Sequence, residues 1–337
     1  MAETCEIDRC ILDGVDHYRV MEPMFEGIRV ILDYRGDPYS PAYIQGISGA
    51  AFRIAGICPC APTCGCAMDP RDLINLLGYE MEYLPLCGEG RDPQQEIEGM
   101  VNRVRHAIRE GHPALVWHAF TYAEWDVVCG YDDVQGLFFG RGSYTGSEGY
   151  ASAAQTRAAT SGVVAPELGA ILIGERDAPF EPGEAEIAAL REAVRHAHDA
   201  QNVERCSNDQ WVMLYGLACY DRWVSGFAGD PPKLADMGDR YCLGVNRSTH
   251  RAAAAFLREI APRHPGAQTE LLRAAAHFAG EADALDEAAE MLFPGCELPK
   301  EANRAANARV AALLASARQL YARGIDEIGA ALPALRP

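Results

Sequence analysis

Four cysteines fall within nine consecutive residues, in the sequence CPCAPTCGC at 58–66. Thiolate sulfurs at this density suit Zn(II), Cu(I) or an iron–sulfur centre, and the intervening proline and glycine residues permit tight backbone turns. The spacing C-x-C-x3-C-x-C differs from the paired CxxC arrangement of zinc ribbons. Cys58, Cys60, Cys64 and Cys66 are therefore candidate metal or redox ligands, with a reversible disulfide or incidentally clustered buried thiols as the alternatives.

The charge of the chain restricts its partners. The 337 residues include 48 acidic and 30 basic side chains, which give a formal net charge of -18. Such a charge repels phosphate backbones and anionic lipid surfaces at long range, so we expect neither nucleic acid nor membrane as a partner. Only Lys233 and Lys300 are lysines. Because guanidinium groups do not act as amine nucleophiles, covalent chemistry would fall to Cys, Ser, Asp, Glu or His.

The cysteine content and the N-terminus indicate a compartment. The chain has 12 cysteines, and its first ten residues, MAETCEIDRC, include acids where a secretion signal needs basic and apolar residues. We therefore expect a cytoplasmic protein in which most thiols stay free.

Capping signals and apolar periodicity predict the elements. In the first half, proline follows an acidic residue at three expected helix starts, residues 23, 70 and 93. Short apolar runs predict strands at 114–120, 125–131, 136–140 and 170–174. After the prolines at 179 and 182 the chain is alanine-rich with helical periodicity. We predict an α+β domain with an antiparallel sheet at 1–177 and a compact α-helical domain at 183–337.

The order of four segments resembles one known family. These are LDYRG at 32–36, YIQGISGAAFR at 43–53, EGHPALVW at 110–117 and VVCGYDD at 127–133. Together they resemble the N-terminal domain of the butirosin biosynthesis protein H family. The resemblance implies a papain-like or C39-like cysteine-peptidase fold redirected to acyl transfer from a carrier protein. The helical second half is similar to the appendage of such proteins.

The catalytic positions of that fold are not matched here. The fold requires a cysteine at the start of the first helix, a histidine at the start of the Gly-Tyr-Asp strand and a polar group that orients the histidine. The sequence has Glu-Pro-Met at 22–24, Glu-Trp at 124–125 and Gly-Arg-Gly at 140–142 instead. A thiol-ester mechanism at the usual site is therefore not expected.

Carboxyl groups could replace the missing catalytic cysteine and histidine. By the resemblance, Glu22 and Glu124 would face each other across the gap between helix and strand, with Asp126 and His118 nearby. Paired carboxyls in a desolvated cleft can split their pKa values and perform acid–base catalysis. An enzyme of this kind would resemble an acyltransferase or an amide hydrolase. The alternative is structural, with Glu22 stabilising the helix start and Glu124 lying in a solvated turn.

Four further residues are candidate ligand contacts in the same cleft: Arg53, Tyr131, Arg141 and Tyr144. Arg53 could hold a carboxylate or lower the pKa of Cys58 or Cys60, or it could pair with a surface acid. The ligand would be a small amine, acyl or peptide-like molecule, or an acyl group carried by a partner protein. The helical domain could serve as a lid, as a carrier dock or as the surface of a homodimer. A metal or thiol-redox protein and a non-catalytic scaffold are the rival functions.

Overall fold

A computed structural model describes residues 8–56, 68–86, 92–122, 124–157, 168–199 and 214–336. The chain forms two compact units. The first comprises Met1–Pro41 and Asp69–Phe180, and the second comprises Ala42–Met68 and Glu181–Pro337. The structure is 57% helical with an antiparallel sheet, which confirms the prediction of mixed helices and antiparallel strands. Helices and strands are numbered below along the whole chain.

The first unit is built on one antiparallel sheet. Its described strands are β1 (Arg9–Ile11), β3 (Tyr79–Leu84), β4 (Ala114–Trp117), β5 (Trp125–Asp132), β6 (Leu137–Arg141), β7 (Ala151–Ala154) and β8 (Ala170–Arg176). The order is β3-β8-β4-β5-β6-β7, and β1 also pairs with β5. All eight residues of β5 are buried. This central strand, with partners on both edges, carries two residues of the predicted site, Asp126 and Tyr131.

Three described helices in the first unit begin as their sequences predict. They are α1 (Pro23–Tyr34), α3 (Pro70–Leu76) and α4 (Pro93–Arg109). Each starts at a proline, and the carboxylate of the preceding residue accepts a hydrogen bond from a backbone N–H of the first turn. This arrangement satisfies donors that a helix start would otherwise leave free. Helix α1 packs against β5 and buries most of its length.

The second unit is helical. Its elements are α2 (Pro41–Ile47), a 3-10 turn (Ala50–Phe52), β2 (Ala55–Gly56), α5 (Pro182–His198), β9 (Leu214–Tyr215), α6 (Gly216–Ala228), α7 (Met237–Ile260), α8 (Gln268–Leu292) and α9 (Arg304–Ala331). The longest helices, α7, α8 and α9, pack closely on one another. Strand β2 pairs antiparallel with β9.

The segment Ala42–Met68 belongs with the helices, although the sequence-based division at 177–183 placed it in the first domain. Aromatic packing explains the difference. The centroid of the Phe52 ring lies 5.9 Å from the ring centroid of Phe256 and 5.5 Å from that of Phe278. An ideal Cβ on Gly46 would lie 2.2 Å from the Phe256 ring, so only glycine fits there. These contacts join residues that are far apart in the chain, and chain order does not show them.

Two observations bear on the expected compartment and partners. No described helix combines the length and apolar character that crossing a bilayer requires. Of the described cysteines, Cys10 is disulfide-bonded, whereas Cys129, Cys219, Cys242 and Cys296 are not in disulfides.

Candidate functional site: a carboxyl cluster around Tyr18

The first carboxyl of the site is at the start of α1. Glu22 is the N-cap residue, and its Oε2 accepts a hydrogen bond from the backbone N–H of Phe25 at 2.9 Å. Its side chain is 8% exposed. By the family resemblance, this position would hold a nucleophilic thiol. It instead holds a carboxylate that caps the helix, and the positive end of the helix dipole stabilises such a group.

A second carboxyl lies one turn further along α1. Glu26 is fully buried, and its Oε1 accepts hydrogen bonds from the backbone N–H of Arg19 and from Nε of Arg29, each at 2.8 Å. The Arg29 guanidinium also contacts Asp16 at 3.2 Å. Glu26 Oε2 has no hydrogen-bond partner among the described residues. Burial raises the pKa of Glu26 to about 7, against the lowering effect of Arg29.

A third carboxyl comes from β5. Asp126 is fully buried, and its Oδ2 accepts hydrogen bonds from the backbone N–H groups of Phe120 at 2.6 Å and Thr121 at 2.8 Å. Burial raises the pKa of Asp126 to about 7, although the two amide hydrogen bonds lower it. An ideal Cβ on Gly142 would lie 2.3 Å from Asp126 Oδ1, so glycine is required where this backbone passes the carboxyl. Asp126 therefore holds the turn between β4 and β5.

The three carboxyl groups described above act on one buried phenol, that of Tyr18. Its hydroxyl donates a hydrogen bond to the carbonyl of Trp125 at 3.0 Å. Burial raises the pKa of Tyr18 well above its usual value, and the charges of four carboxyls raise it further. These four are Asp126, Glu26, Glu22 and Glu124. The structure thus places the three carboxyl residues predicted from the sequence, Glu22, Glu124 and Asp126, within electrostatic range of one phenol. We call Tyr18, Glu22, Glu26, Glu124 and Asp126 the Tyr18 cluster.

His118 lies in the turn next to the cluster. Its backbone N–H donates to the carbonyl of Glu124 at 2.7 Å, and its ring packs edge-on against Tyr122 with centroids 5.3 Å apart. Its φ of 57° is in the left-handed region, which costs a non-glycine residue conformational energy. Burial and the charge of Arg157 lower the pKa of His118. The lowered pKa favours the neutral imidazole. Strand β4 ends at Trp117, just before the left-handed backbone of His118, whereas the sequence predicted a strand to residue 120.

The four predicted ligand contacts are not members of the Tyr18 cluster, and whether they bind a ligand stays a prediction. Tyr131 is fully buried and its hydroxyl accepts a hydrogen bond from Arg109 Nε at 2.5 Å. Arg141 donates to the carbonyls of Val15 and Gly149 at 3.1 and 2.9 Å, so its guanidinium holds the backbone around it. Tyr144 is 53% exposed. Arg53 belongs to the second unit, where its guanidinium lies 5.5 Å from the centre of the Tyr215 ring.

The predicted metal ligands Cys58, Cys60, Cys64 and Cys66 lie outside the described residues. Among the residues that are described, no group of three or more His, Cys, Asp or Glu side chains could hold a metal ion. A separate open groove of about 750 Å³ lies between the end of β3 and the first half of α4. Its lining contains none of the predicted site residues.

Tyr18 and Glu26 were not among the sequence-based candidates. The signal for Glu26 was present, because it follows Glu22 by four residues and therefore shares its face of α1. Tyr18 lies between β1 and α1, outside any regular element, and only the fold shows that its hydroxyl reaches β5. An ideal Cβ on Gly27 would lie 2.8 Å from that hydroxyl and 2.4 Å from Leu115 Cδ1. Gly27 thus leaves the space that Tyr18 occupies.

Replacing Gly27 with alanine should therefore lower the free energy of unfolding by about 1–3 kcal/mol, because the new methyl group displaces Tyr18 and Leu115. The matched control is Gly99→Ala in α4, where nothing lies within 4 Å of the added carbon. There, alanine should stabilise the helix by up to about 1 kcal/mol. Urea denaturation of both variants measures the contrast. Equal effects would show that Tyr18 does not lie against α1.

Comparison with known proteins gives no assignment: no protein-family model matches the chain, and no curated protein matches its sequence.

Proposed function

We propose that the first unit is a cysteine-peptidase-like, acyltransferase-like domain whose thiol and imidazole are replaced by carboxyls, and that it binds a small amine-bearing molecule at the Tyr18 cluster. The observation that carries the proposal is the convergence of four buried carboxyls, from α1 and from the start of β5, around one phenol. The papain-like or C39-like assignment of this unit is part of the proposal. It is supported by the sequence resemblance and by the packing of α1 on β5.

The charge balance of the cluster favours a cationic ligand. The cluster and the adjacent Asp16 supply five carboxyl groups, and the described guanidinium groups within reach of them are Arg19, Arg29 and Arg157. An ammonium group would offset the remaining negative charge and would donate hydrogen bonds to carboxylate oxygens. The oxygen Glu26 Oε2, which has no described partner, is one such acceptor.

Binding of an ammonium group should be coupled to proton release. Asp126 and Glu26 each have a pKa raised to about 7, so both are partly protonated at neutral pH. A bound cation favours their ionised forms, and the released protons pass to the buffer. We propose that Asp126 is the group that gives up its proton and takes it back when the amine leaves.

Isothermal titration calorimetry with butylamine, and with 1-butanol as the uncharged probe of equal length, tests this function. We expect butylamine to bind with proton release and 1-butanol not to bind. Glu124→Gln should weaken butylamine binding at least tenfold, whereas Glu175→Gln, a 79% exposed carboxylate of the same unit, should not change it. Absence of butylamine binding, or equal effects of the two variants, would contradict the proposal.

A further inference from the structure

Strand β3 lies at one edge of the sheet in the first unit. Among the described strands it pairs only with β8, on one side. Its sequence is YEMEYL, and most of its residues are exposed or half-buried. An edge strand presents a row of backbone N–H and C=O groups with which another extended chain can pair. The described sheet therefore has room for one more strand beside β3.

The open groove of about 750 Å³ lies beside the end of this strand. Tyr83, Leu84 and Pro85 form its strand side. The residues on its α4 side are spaced by three or four positions or by combinations of these steps, so they share one face of the helix. They are Asp92, Gln95, Glu96, Gly99, Met100 and Arg103. A chain that pairs with the end of β3 therefore has one face of α4 beside it.

Gly99 keeps the groove open. It lies in the first half of α4, where glycine is less favourable than alanine. An ideal Cβ on Gly99 would have nothing within 4 Å, so close packing does not require glycine at this position. Because Gly99 lines the groove, a larger side chain there would enter the open space. Room for a bound molecule explains this glycine, whereas close packing does not.

Acidic side chains predominate around the groove. Asp92 and Glu96 line it, and Glu82 of β3 accepts a hydrogen bond from Arg103 Nε at 3.2 Å. Glu80 is exposed and shares the face of Glu82, because alternate residues of a strand point to the same side. Arg103 is the one described basic residue in the lining. Four carboxyl groups against one guanidinium favour a positively charged occupant.

A second guanidinium near the groove is engaged by its own acid. Arg71 lies 5.1 Å from the centre of the Tyr83 ring. Asp69 accepts hydrogen bonds from Arg71 Nε at 2.8 Å and from its terminal nitrogen at 2.6 Å. This pair adds no net charge, so the excess of negative charge at the groove remains.

The same charges disfavour a second copy of this chain as the occupant. If two copies of β3 paired antiparallel about a two-fold axis, Glu80 would lie opposite Glu82, or one of these glutamates would lie opposite itself. Like charges directly opposite each other destabilise a strand pair. Basic residues at every second position of an added strand would instead face Glu80 and Glu82. Charge complementarity therefore selects a basic peptide.

We propose that the edge of β3 and the groove beside α4 bind an extended peptide segment with lysine or arginine at every second position. Backbone hydrogen bonds to β3 supply affinity, and the acidic side chains around the groove select the basic residues. The site contains no residue of the Tyr18 cluster and does not depend on the function proposed for that cluster.

Isothermal titration calorimetry with the peptide acetyl-KVKVKV-amide, which has the length of β3, tests the site. Acetyl-EVEVEV-amide is the control of opposite charge. We expect KVKVKV to bind more weakly as NaCl is added, and EVEVEV not to bind. Gly99→Phe should weaken KVKVKV binding about tenfold, because the ring fills the groove. Gly329→Phe should not change it, since Gly329 is a helical glycine of α9 that also has nothing within 4 Å.

A charge reversal on the strand provides a second test that does not depend on the folding of Gly99→Phe. Glu80→Lys should weaken KVKVKV binding about tenfold, whereas Glu110→Lys, at an exposed position after α4, should change it little. Glu124→Gln should leave it unchanged, which separates this site from the Tyr18 cluster. Bound peptide should also slow hydrogen exchange of amides in Tyr79–Leu84 by about tenfold or more.

Four results would overturn the proposal. These are absence of binding up to about 1 mM peptide, equal effects of the paired variants, binding without added protection in β3, and a loss of binding in Glu124→Gln as large as in Glu80→Lys. Sedimentation velocity tests the other occupant. A dimer that excludes the KVKVKV peptide would show that a second copy covers this edge, and it too would overturn the proposal.

Discussion

Replacing Asp126 with asparagine should raise the free energy of unfolding by about 2–4 kcal/mol at pH 8 and change it little at pH 4. Asp126 is fully buried, and its pKa is raised from 3.8 to about 7. The protonated carboxyl is therefore favoured in the folded state. The stability that it contributes is complete below about pH 4 and is lost as the pH rises through about 7.

Asparagine reproduces the neutral form of this side chain. Its carbonyl oxygen can accept the hydrogen bonds from Phe120 and Thr121 that Asp126 Oδ2 accepts at 2.6 and 2.8 Å. Asp126→Ala is the matched comparison, because it leaves both amides without an acceptor and should destabilise the protein at every pH. Urea denaturation at pH 4, 6 and 8 measures both variants. A pH-independent difference between Asp126→Asn and the unmodified protein would show that Asp126 ionises normally.

Replacing Glu281 with alanine should lower the free energy of unfolding by about 3–5 kcal/mol. Glu281 and His250 are fully buried, and their side chains lie 2.7 Å apart. Alanine would leave the His250 ring and the Tyr220 hydroxyl without their acceptor in the helical core, and a buried donor without a partner is costly.

Two variants test this interpretation of Glu281. Glu281→Gln keeps an acceptor for Tyr220 but not the charge beside His250, so its cost should be intermediate. Glu287→Ala removes an acid of the same helix whose ion pair with Arg309 is exposed, and it should cost less than about 1 kcal/mol. Thermal and urea denaturation at pH 7 provide the comparison. A Glu281→Ala effect as small as that of Glu287→Ala would show that the pair is solvated.

The sequence predicted those elements whose determinants are local. The starts of α1, α3 and α4 depend on an acidic cap followed by proline, and the structure confirms all three. The predicted strands at 125–131 and 170–174 correspond to β5 and β8. Strand β3, with the sequence YEMEYL, was not predicted because its two glutamates interrupt the apolar run. It lies at the edge of the sheet and is only partly buried, so polar residues are tolerated there.

Non-local contacts account for what the sequence did not show. The grouping of Ala42–Met68 with the helices depends on Phe52 and Gly46 meeting Phe256, which lies about two hundred residues away. The family resemblance brought Glu22, Glu124 and Asp126 together, but it did not include Tyr18. The ligand contact expected of Arg141 stays a prediction. Its hydrogen bonds to the carbonyls of Val15 and Gly149 depend on a loop conformation that composition does not encode.

The proposed function requires buried carboxyls of the Tyr18 cluster to exchange protons near neutral pH when an amine binds. Carbon-detected NMR titration of the side-chain carboxyls, with and without butylamine, measures this exchange. We expect Asp126 to titrate with a midpoint near 7 in the free protein and at a lower pH in the presence of butylamine. A midpoint near 4 that butylamine does not move would show that Asp126 takes no part in amine binding.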